Sequence, residues 1–591
     1  MFEQNLQPVG DSLALSALCG ALPLFTLFLL LGGLRMKAWV AGVISLGVAL
    51  VVAILLFEMP VGQALLAGTE GAAFGFFPIL WIVINAIWVY NLTVASGHFD
   101  VLRRSFEKVS PDQRIQAIII AFCFGALLEA LAGFGTPVAI TVVMLMAMGF
   151  EPIKAAAVAL IANTAPVAFG ALATPIVTLA AVSSGASDDS RLTVGTLGAM
   201  VGRQTPILAV VVPLILVFVV DGRRGVKNTW VAALVCGLSF AVAQFVAANY
   251  ISVPLADIVA ALVAAASVVL LLRVWSPAET MLADAGDHAE TRHARNDTSS
   301  AAGSAPTGAV VGGRRASTNS GSGPVSGSAA GARAGSAGTR IHDTGGEVAK
   351  AYAPYLVIIA IFSITNIAAV KEFLAQEPMT FKFGWPGLDV RNPAGEAVSS
   401  TMYAFNWLPA AGTLMILAGI ITALILHISP AKALKTYVGT YVELKGAIIT
   451  VMAVLALAYV MNLSGQTSSL GAWLAGAGAA FAVLSPILGW IGVAVTGSDT
   501  SANALFGALQ VQTAKEAGLD PLLMAAANSS GGVLGKMVSP QNLAIAAAAV
   551  GMAGKEGDIF RKVIGWSLGL LVLMCVIVGL QSTAVLGWMI P

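Results

Sequence analysis

The chain has 591 residues, 58% of them hydrophobic and only 10% charged, with a formal net charge of +1. Soluble domains carry roughly a quarter charged residues, so this composition excludes a soluble enzyme or binding module and specifies an integral membrane protein. The near-neutral balance gives no attraction for nucleic acid or another polyionic partner.

Residues 1–10 lack a basic stretch, and no cleavage site follows the first apolar run. The run 13–34 is therefore expected to be the first membrane helix. Further apolar spans lie near 38–57, 72–95, 115–133, 137–180, 194–219, 229–250 and 255–272. Others lie near 352–370, 408–427, 446–463, 473–495, 500–551 and 563–588. The two longest contain helix breakers and should hold several elements each, for about 12 to 16 membrane segments. Cys19, Cys123, Cys236 and Cys575 sit in apolar runs without metal-ligand spacing and read as packing residues; no metal or cofactor is expected.

The spans divide into a first membrane half, 1–277, and a second, 346–591, separated by 278–345. The separator is dominated by Gly, Ser, Ala, Thr and Arg and cannot bury enough apolar surface to offset ordering entropy. A disordered cytoplasmic linker is expected there. Residues 371–407 form a second long loop, with the turn sequence Gly384-Trp-Pro-Gly387.

Lys and Arg in short loops set orientation. Arg35 and Lys37 follow the first span, and Arg103, Arg104, Lys108 and Arg114 follow the third. Arg223, Arg224 and Lys227 make a third basic loop, Lys432, Lys435 and Lys445 a fourth, and Lys555, Arg561 and Lys562 a fifth. The intervening 58–70 holds only Glu58 and Glu70. Counting crossings places the five basic loops on the cytoplasmic side and both termini outside.

The stretch 121–180 is apolar enough for a bilayer yet carries Glu129 and repeated breakers, Gly133-Phe-Gly135-Thr136-Pro137 and Asn163-Thr164-Ala-Pro166 through Thr174-Pro175. Lipid-facing helices tolerate neither charge nor freed backbone, so this stretch should line an enclosed site. It has a counterpart. Asn163 precedes Gly170 and Pro175 by seven and twelve residues, and Asn528 precedes Gly535 and Pro540 by the same offsets. Gly149-Phe-Glu-Pro152 resembles Gly518-Leu-Asp-Pro521, and Gly133-Phe-Gly-Thr136 has a looser echo in Gly497-Ser498-Asp499-Thr500. The first copy exits to 183–193, where Asp188 and Asp189 outnumber Arg191, and the second to the basic loop 552–562. The copies therefore run in opposite directions. The expected fold is an all-α polytopic membrane protein with two inverted repeats, centred on 121–180 and 496–545, built from discontinuous helices and hairpins.

At these motifs the chain closely resembles the lactate permease family. The matching residues are Gly125 to Ile140, Asn163-Thr-Ala-Pro-Val-Ala-Phe-Gly170, Val201-Gly-Arg-Gln204, Thr496-Gly-Ser-Asp-Thr-Ser-Ala-Asn-Ala504, Ala527-Asn-Ser-Ser-Gly-Gly532 and Lys536-Met-Val-Ser-Pro-Gln541. The similarity runs from Asn5 to Pro591 outside the linker. It implies proton-coupled uptake of lactate, glycolate and similar 2-hydroxymonocarboxylates across the bacterial inner membrane, by an elevator-like motion. Ala130 and Ala173 depart from the pattern, standing where Gly is usual.

Glu129 lies between Gly125 and Gly133, each four residues away, and is a candidate proton carrier or a structural acid. Asp499 could carry a proton or cap a helix. Lys536 and Arg203 could each pair with a substrate carboxylate, or neutralise Glu129 or Asp499 as a structural ion pair. Asn163, Thr164, Asn528, Ser529 and Ser530 offer donors and acceptors to a carboxylate and a 2-hydroxyl, or to neighbouring helices. Asn163 and Asn528 are each expected where a helix yields to exposed backbone, facing one shared cavity. Gly133, Gly135, Thr136, Ser498, Thr500 and Gln541 complete the candidate binding set. His98 and His427 read as interfacial polar residues.

The substrate class is thus a small monocarboxylate with a proton, the second partner is the lipid bilayer, and an oligomer is compatible with the sequence. A sodium-coupled carrier of another small organic anion is the alternative, and an anion channel a more distant one. No HExxH, nucleotide loop or Ser-His-Asp grouping points to an enzyme.

Overall fold

The computed structural model describes residues 1–591 except 134, 188, 282–342, 393, 394, 396, 399, 400 and 553. Met1–Leu282 and Gly346–Pro591 form one compact unit, and the other, Ala283–Gly345, lies almost wholly outside the described residues, as does most of the expected linker. Among the described residues, ten helices are long and apolar enough to cross a membrane. The all-α polytopic expectation holds. Among the described residues the strands form short pairings, Phe2–Glu3 with Val390–Arg391 and Phe381–Gly384 with Met402–Phe405.

Contacts between loops sort the helix ends onto two sides. Gln4 Nε2 donates to Leu463 O (3.0 Å), Gln63 Nε2 to Gly387 O (2.9 Å) and Asn366 Nδ2 to Ser252 Oγ (3.0 Å). Arg191 bonds Asp520 (3.0 Å), and Arg203 donates to Met589 O (2.8 Å). These groups share the side that holds both termini. On the other side Lys432 Nζ donates to Ala95 O (2.7 Å), Arg114 pairs with Asp221 (3.1 Å) and Arg224 with Glu279 (2.6 Å). The groups at 95, 114, 221–224, 279 and 432 thus share one side, while Arg191 and Arg203 lie on the other.

Two re-entrant hairpins lie among the passes. The first descends from Gln113 through a π-helical turn over Ala117–Phe124 and Gly125–Ala132, turns at 133–135, and returns as Thr136–Ala147. Its arms are antiparallel: a Cβ on Gly125 would meet Thr141 at 3.4 Å, and Gln113 Nε2 donates to Met148 O (3.0 Å) at the open end. The second comprises Phe481–Thr496 and Asp499–Ala517, with Gln510 Nε2 donating across it to Ser485 O (3.0 Å). Gly135 and Gly497 take φ of +87° and +74° at the two tips, a backbone that glycine adopts without a Cβ penalty.

A broken helix follows each hairpin. The first runs Pro152–Ala162, unwinds, and resumes as Thr174–Ser184; the second runs Pro521–Gly535 and resumes as Pro540–Ala549. Proline in the first turn suits each restart, because the missing N–H would have no partner there. The first hairpin opens beside Asp221 and the second beside Arg191. The helical segment 194–220 between those points is about 40 Å long, the thickness of a bilayer with its headgroups. The hairpins therefore enter from opposite sides, as the inverted repeat requires.

Several boundaries differ from expectation. Glu70 is not in a loop: it is buried in the helix Val61–Phe74, because that helix begins before the strongly apolar residues do. The basic clusters 223–227 and 432–445 are helical, continuing membrane helices beyond the bilayer. Asn528 lies inside the helix Pro521–Gly535 rather than at a break, because Ser529 to Gly532 remain helical until Lys536. The linker is ordered at its start, where Met281 N donates to Asp112 Oδ2 (3.1 Å), Arg114 donates to Glu279 O, and Glu279 pairs with Arg224.

Candidate functional site

Glu129 sits one turn before the first hairpin tip and is 3% exposed. Gly133, where the helix ends, leaves room for its carboxylate: a Cβ there would stand 3.3 Å from Glu129 Oε1. Lys536 Nζ donates to Glu129 Oε1 (2.7 Å), and Asn163 Nδ2 donates to Glu129 Oε2 (2.9 Å). Asn163 ends the first half of the first broken helix, and Lys536 opens the gap in the second. One carboxylate thus ties the first hairpin to both helix breaks, across the two repeats. Such a pair persists in low dielectric only when well bonded, and removing one partner strands a buried charge. Asn163 Oδ1 is buried without a hydrogen-bond partner.

Asp499 heads the returning arm of the second hairpin, on a helix capped by Ser498, whose side chain accepts from Ser501 N (3.3 Å). Its Oδ2 accepts from Ser529 Oγ (2.6 Å) and Asn503 Nδ2 (3.2 Å), while Oδ1 is buried without a partner. A Cβ on Gly532 would collide with that Oδ1, so glycine is needed to seat the acid. Asn503 Nδ2 also donates to Pro175 O (3.1 Å), satisfying a carbonyl at the restart of the first broken helix.

The remaining candidates fall into three groups. Asn528 is a brace: it donates to Asn503 Oδ1 (2.9 Å) and accepts from Gln510 Nε2 (3.1 Å), locking the second hairpin to the second broken helix. Ser530 Oγ donates to Gln204 Oε1 (2.7 Å), and Thr164 Oγ1 back-bonds to Ile161 O (2.6 Å). Around the tips, Gly135 packs on Ile545 and Asn542, Gln541 lies beside Gly497, and Thr136 and Thr500 begin the returning arms. Arg203 stands apart, bonded to Asn249 Oδ1 (3.0 Å) and Met589 O (2.8 Å) on the terminal side.

Several residues in this constellation were not singled out from sequence. Asn542 Nδ2 reaches Ser539 Oγ (2.8 Å), Lys536 O (3.3 Å) and Gly497 O (3.4 Å), holding the second tip against the second break. Gln204 accepts from Ser530 and donates to Gln581 Oε1 (2.8 Å). Asp257, 1% exposed, accepts from Gln244 Nε2 (2.9 Å). The rule that an ionisable residue within a membrane span is costly and purposeful would have flagged Asp257 and Glu70.

Matched Ser-x-Asp-x-Arg clasps stand at the two membrane faces. Arg114 folds back on Asp112 (2.7 Å) and reaches Asp221, while Arg191 folds back on Asp189 (2.7 Å) and reaches Asp520. Hydrogen bonds from Arg191 hold the Asp189 carboxyl below the usual carboxylate range. His98 bonds Ser96 Oγ (3.0 Å) and lies near His427 on the basic side, as interfacial residues would.

A sequence profile described as L-lactate permease matches residues 16–585. The L-lactate permease of Bacillus subtilis (strain 168) is 40% identical, with 100% of this chain and 99% of that protein covered. The glycolate permease GlcA of Escherichia coli (strain K12) is also 40% identical, with 99% of each chain covered. Among solved structures, the YdaH transporter of Alcanivorax borkumensis is similar at a TM-score of 0.40 and 14% identity, covering 87% of this chain and 86% of that one.

Proposed function

Because the chain belongs to the L-lactate permease family, we propose that it is a secondary carrier taking up lactate, glycolate and similar 2-hydroxymonocarboxylates together with a proton. The bacterial plasma membrane is its setting, with the basic side cytoplasmic by the positive-inside rule and both termini outside.

The observation that carries the reading is the Glu129 carboxylate held between Lys536 and Asn163. A substrate carboxylate can take the place of Glu129 on the Lys536 ammonium only if Glu129 gives up its negative charge. Two carboxylates against one cation in low dielectric would leave an uncompensated buried charge. Protonating Glu129 removes that charge, so anion binding and proton binding become one event. Asn163 then faces the substrate with a free Oδ1, suited to accept from a 2-hydroxyl. Asp499, braced by Ser529 and Asn503, is a second proton-carrying position.

The hairpin tips Gly133–Thr136 and Gly497–Thr500 close the site toward opposite faces, which supports alternating access. An elevator-like motion would carry the hairpins and broken helices as a body against the helices packed outside them.

Uptake by proteoliposomes in sodium-free buffer under an imposed pH gradient tests the reading. Lactate and glycolate are expected to accumulate, with pyruvate and acetate weaker because they lack the 2-hydroxyl. Accumulation only when sodium is present would replace the proton with sodium.

A further inference from the structure

Glu129 and Asp499 are not the only acids buried near the helix breaks. Asp257 lies in the first turn of the apolar helix Ala256–Leu271, which packs against the descending arm of the first hairpin. One oxygen accepts from Gln244 Nε2 (2.9 Å), and the other, Oδ2, is buried without a partner. That descending arm carries Glu129. From the two helices 194–220 and 223–246, the neighbouring groups are Thr205 and Gln244, the Thr205 hydroxyl donating to Gln244 Oε1 (3.3 Å). Arg203 on the first of these is engaged by Asn249 and Met589, and Cys123 and Cys236 face each other at 3.5 Å. Among the described residues no cation is bonded to Asp257.

Its position along the chain adds direction. Asp257 lies just inside Ser252, whose hydroxyl accepts from Asn366 at the terminal side. It therefore stands between that face and Glu129. A polar string also runs inward from the second broken helix: Ser530 bonds Gln204, the next residue Thr205 bonds Gln244, and Gln244 bonds Asp257. A carboxyl so placed, without a counter-ion, is costly unless it carries a proton.

We propose that Asp257 is a further proton-carrying residue of this carrier, beyond Glu129 and Asp499, passing protons between the terminal face and Glu129. A proton from water on the terminal side binds the Asp257 carboxylate. It moves to the Glu129 carboxylate as Lys536 turns to the substrate, and Asp257 is left ionised until the next proton arrives. Gln244 is a positioning residue that orients the carboxyl. The inference rests on the proton-coupled reading of the Glu129 site.

The test compares wild type, Asp257→Asn and Asp257→Glu in proteoliposomes, measuring pH-gradient-driven lactate uptake, its pH profile, and lactate counterflow at equal pH. Asn keeps the shape and the acceptor for Gln244 but carries no proton. The expected result is that Asp257→Asn slows net uptake by about tenfold or more. Its pH profile should flatten, counterflow should fall by no more than about threefold, and Asp257→Glu should restore much of the uptake. Uptake and pH profile unchanged in Asp257→Asn would overturn the inference. So would equal loss of uptake and counterflow in both variants, the mark of a merely structural residue. Wild-type protein that fails to accumulate lactate under the gradient would instead overturn the functional reading itself.

Discussion

At the scale of single residues, the candidate site is centred on one buried ion pair, Lys536 with Glu129. Breaking a buried pair costs about 3–5 kcal/mol because the surviving charge is stranded, whereas removing both charges costs far less. Lys536→Gln is therefore expected to destabilise the protein strongly in a detergent melting assay, and Glu129→Gln/Lys536→Gln together to recover most of that loss. Equal destabilisation in the single and double variants would show that the pair is not the source. Asn163→Leu should raise the apparent KM for lactate about tenfold, the effect of losing a buried polar contact of ~1–3 kcal/mol. Ala173 has φ +60°, a left-handed backbone that costs a residue with a Cβ roughly 1–2 kcal/mol, at a position where the family resemblance leads one to expect glycine. Ala173→Gly should accordingly raise the melting temperature, and a lowered one would contradict this account of the first break.

At the scale of elements, the second hairpin and second broken helix meet backbone to backbone. A Cβ on Gly489 would collide with Asn528 O, one on Gly531 with Pro486 O, and one on Gly535 with Trp490 O. Gly489→Ala or Gly531→Ala should cost about 1–3 kcal/mol by overpacking and reduce transport, while Gly446→Ala, which opens onto free space, should be neutral in melting and uptake. These elements were legible in the chain to different degrees. Glycine, proline and hydroxyl residues inside apolar runs announced the breaks at 133–137 and 163–175, since such residues are costly in a continuous lipid-facing helix, whereas the second break was expected at Asn528 and lies at 536–540. Asn528 was misplaced for the same reason: its small polar neighbours resemble a break, yet tight packing on Gly489 keeps that stretch helical. Which residues would meet was not legible. Lys536 and Glu129 lie 407 positions apart, and no periodicity in one sequence says that the second break docks beside the first hairpin. Asp257 escaped notice because its helix otherwise reads as an uninterrupted span.

At the scale of the whole molecule, the helical membrane-spanning class and the paired hairpin-and-break motifs were carried by composition and spacing. The segment 278–345 was read as a tether, and its ordered start, where Glu279 and Met281 clip the base of the first hairpin, came only with the structure. Deleting 283–340, which spares that clip, is expected to leave lactate uptake nearly intact; a stable deletion protein without uptake would assign that segment a role in transport. In the proposed cycle the Glu129 carboxylate exchanges Lys536 for a proton when substrate binds. The most direct test is Glu129→Gln in sodium-free proteoliposomes, comparing lactate accumulation under a pH gradient with lactate exchange at equal pH. Accumulation is expected to be abolished while exchange persists; accumulation equal to wild type in the correctly inserted variant would rule out that exchange of partners.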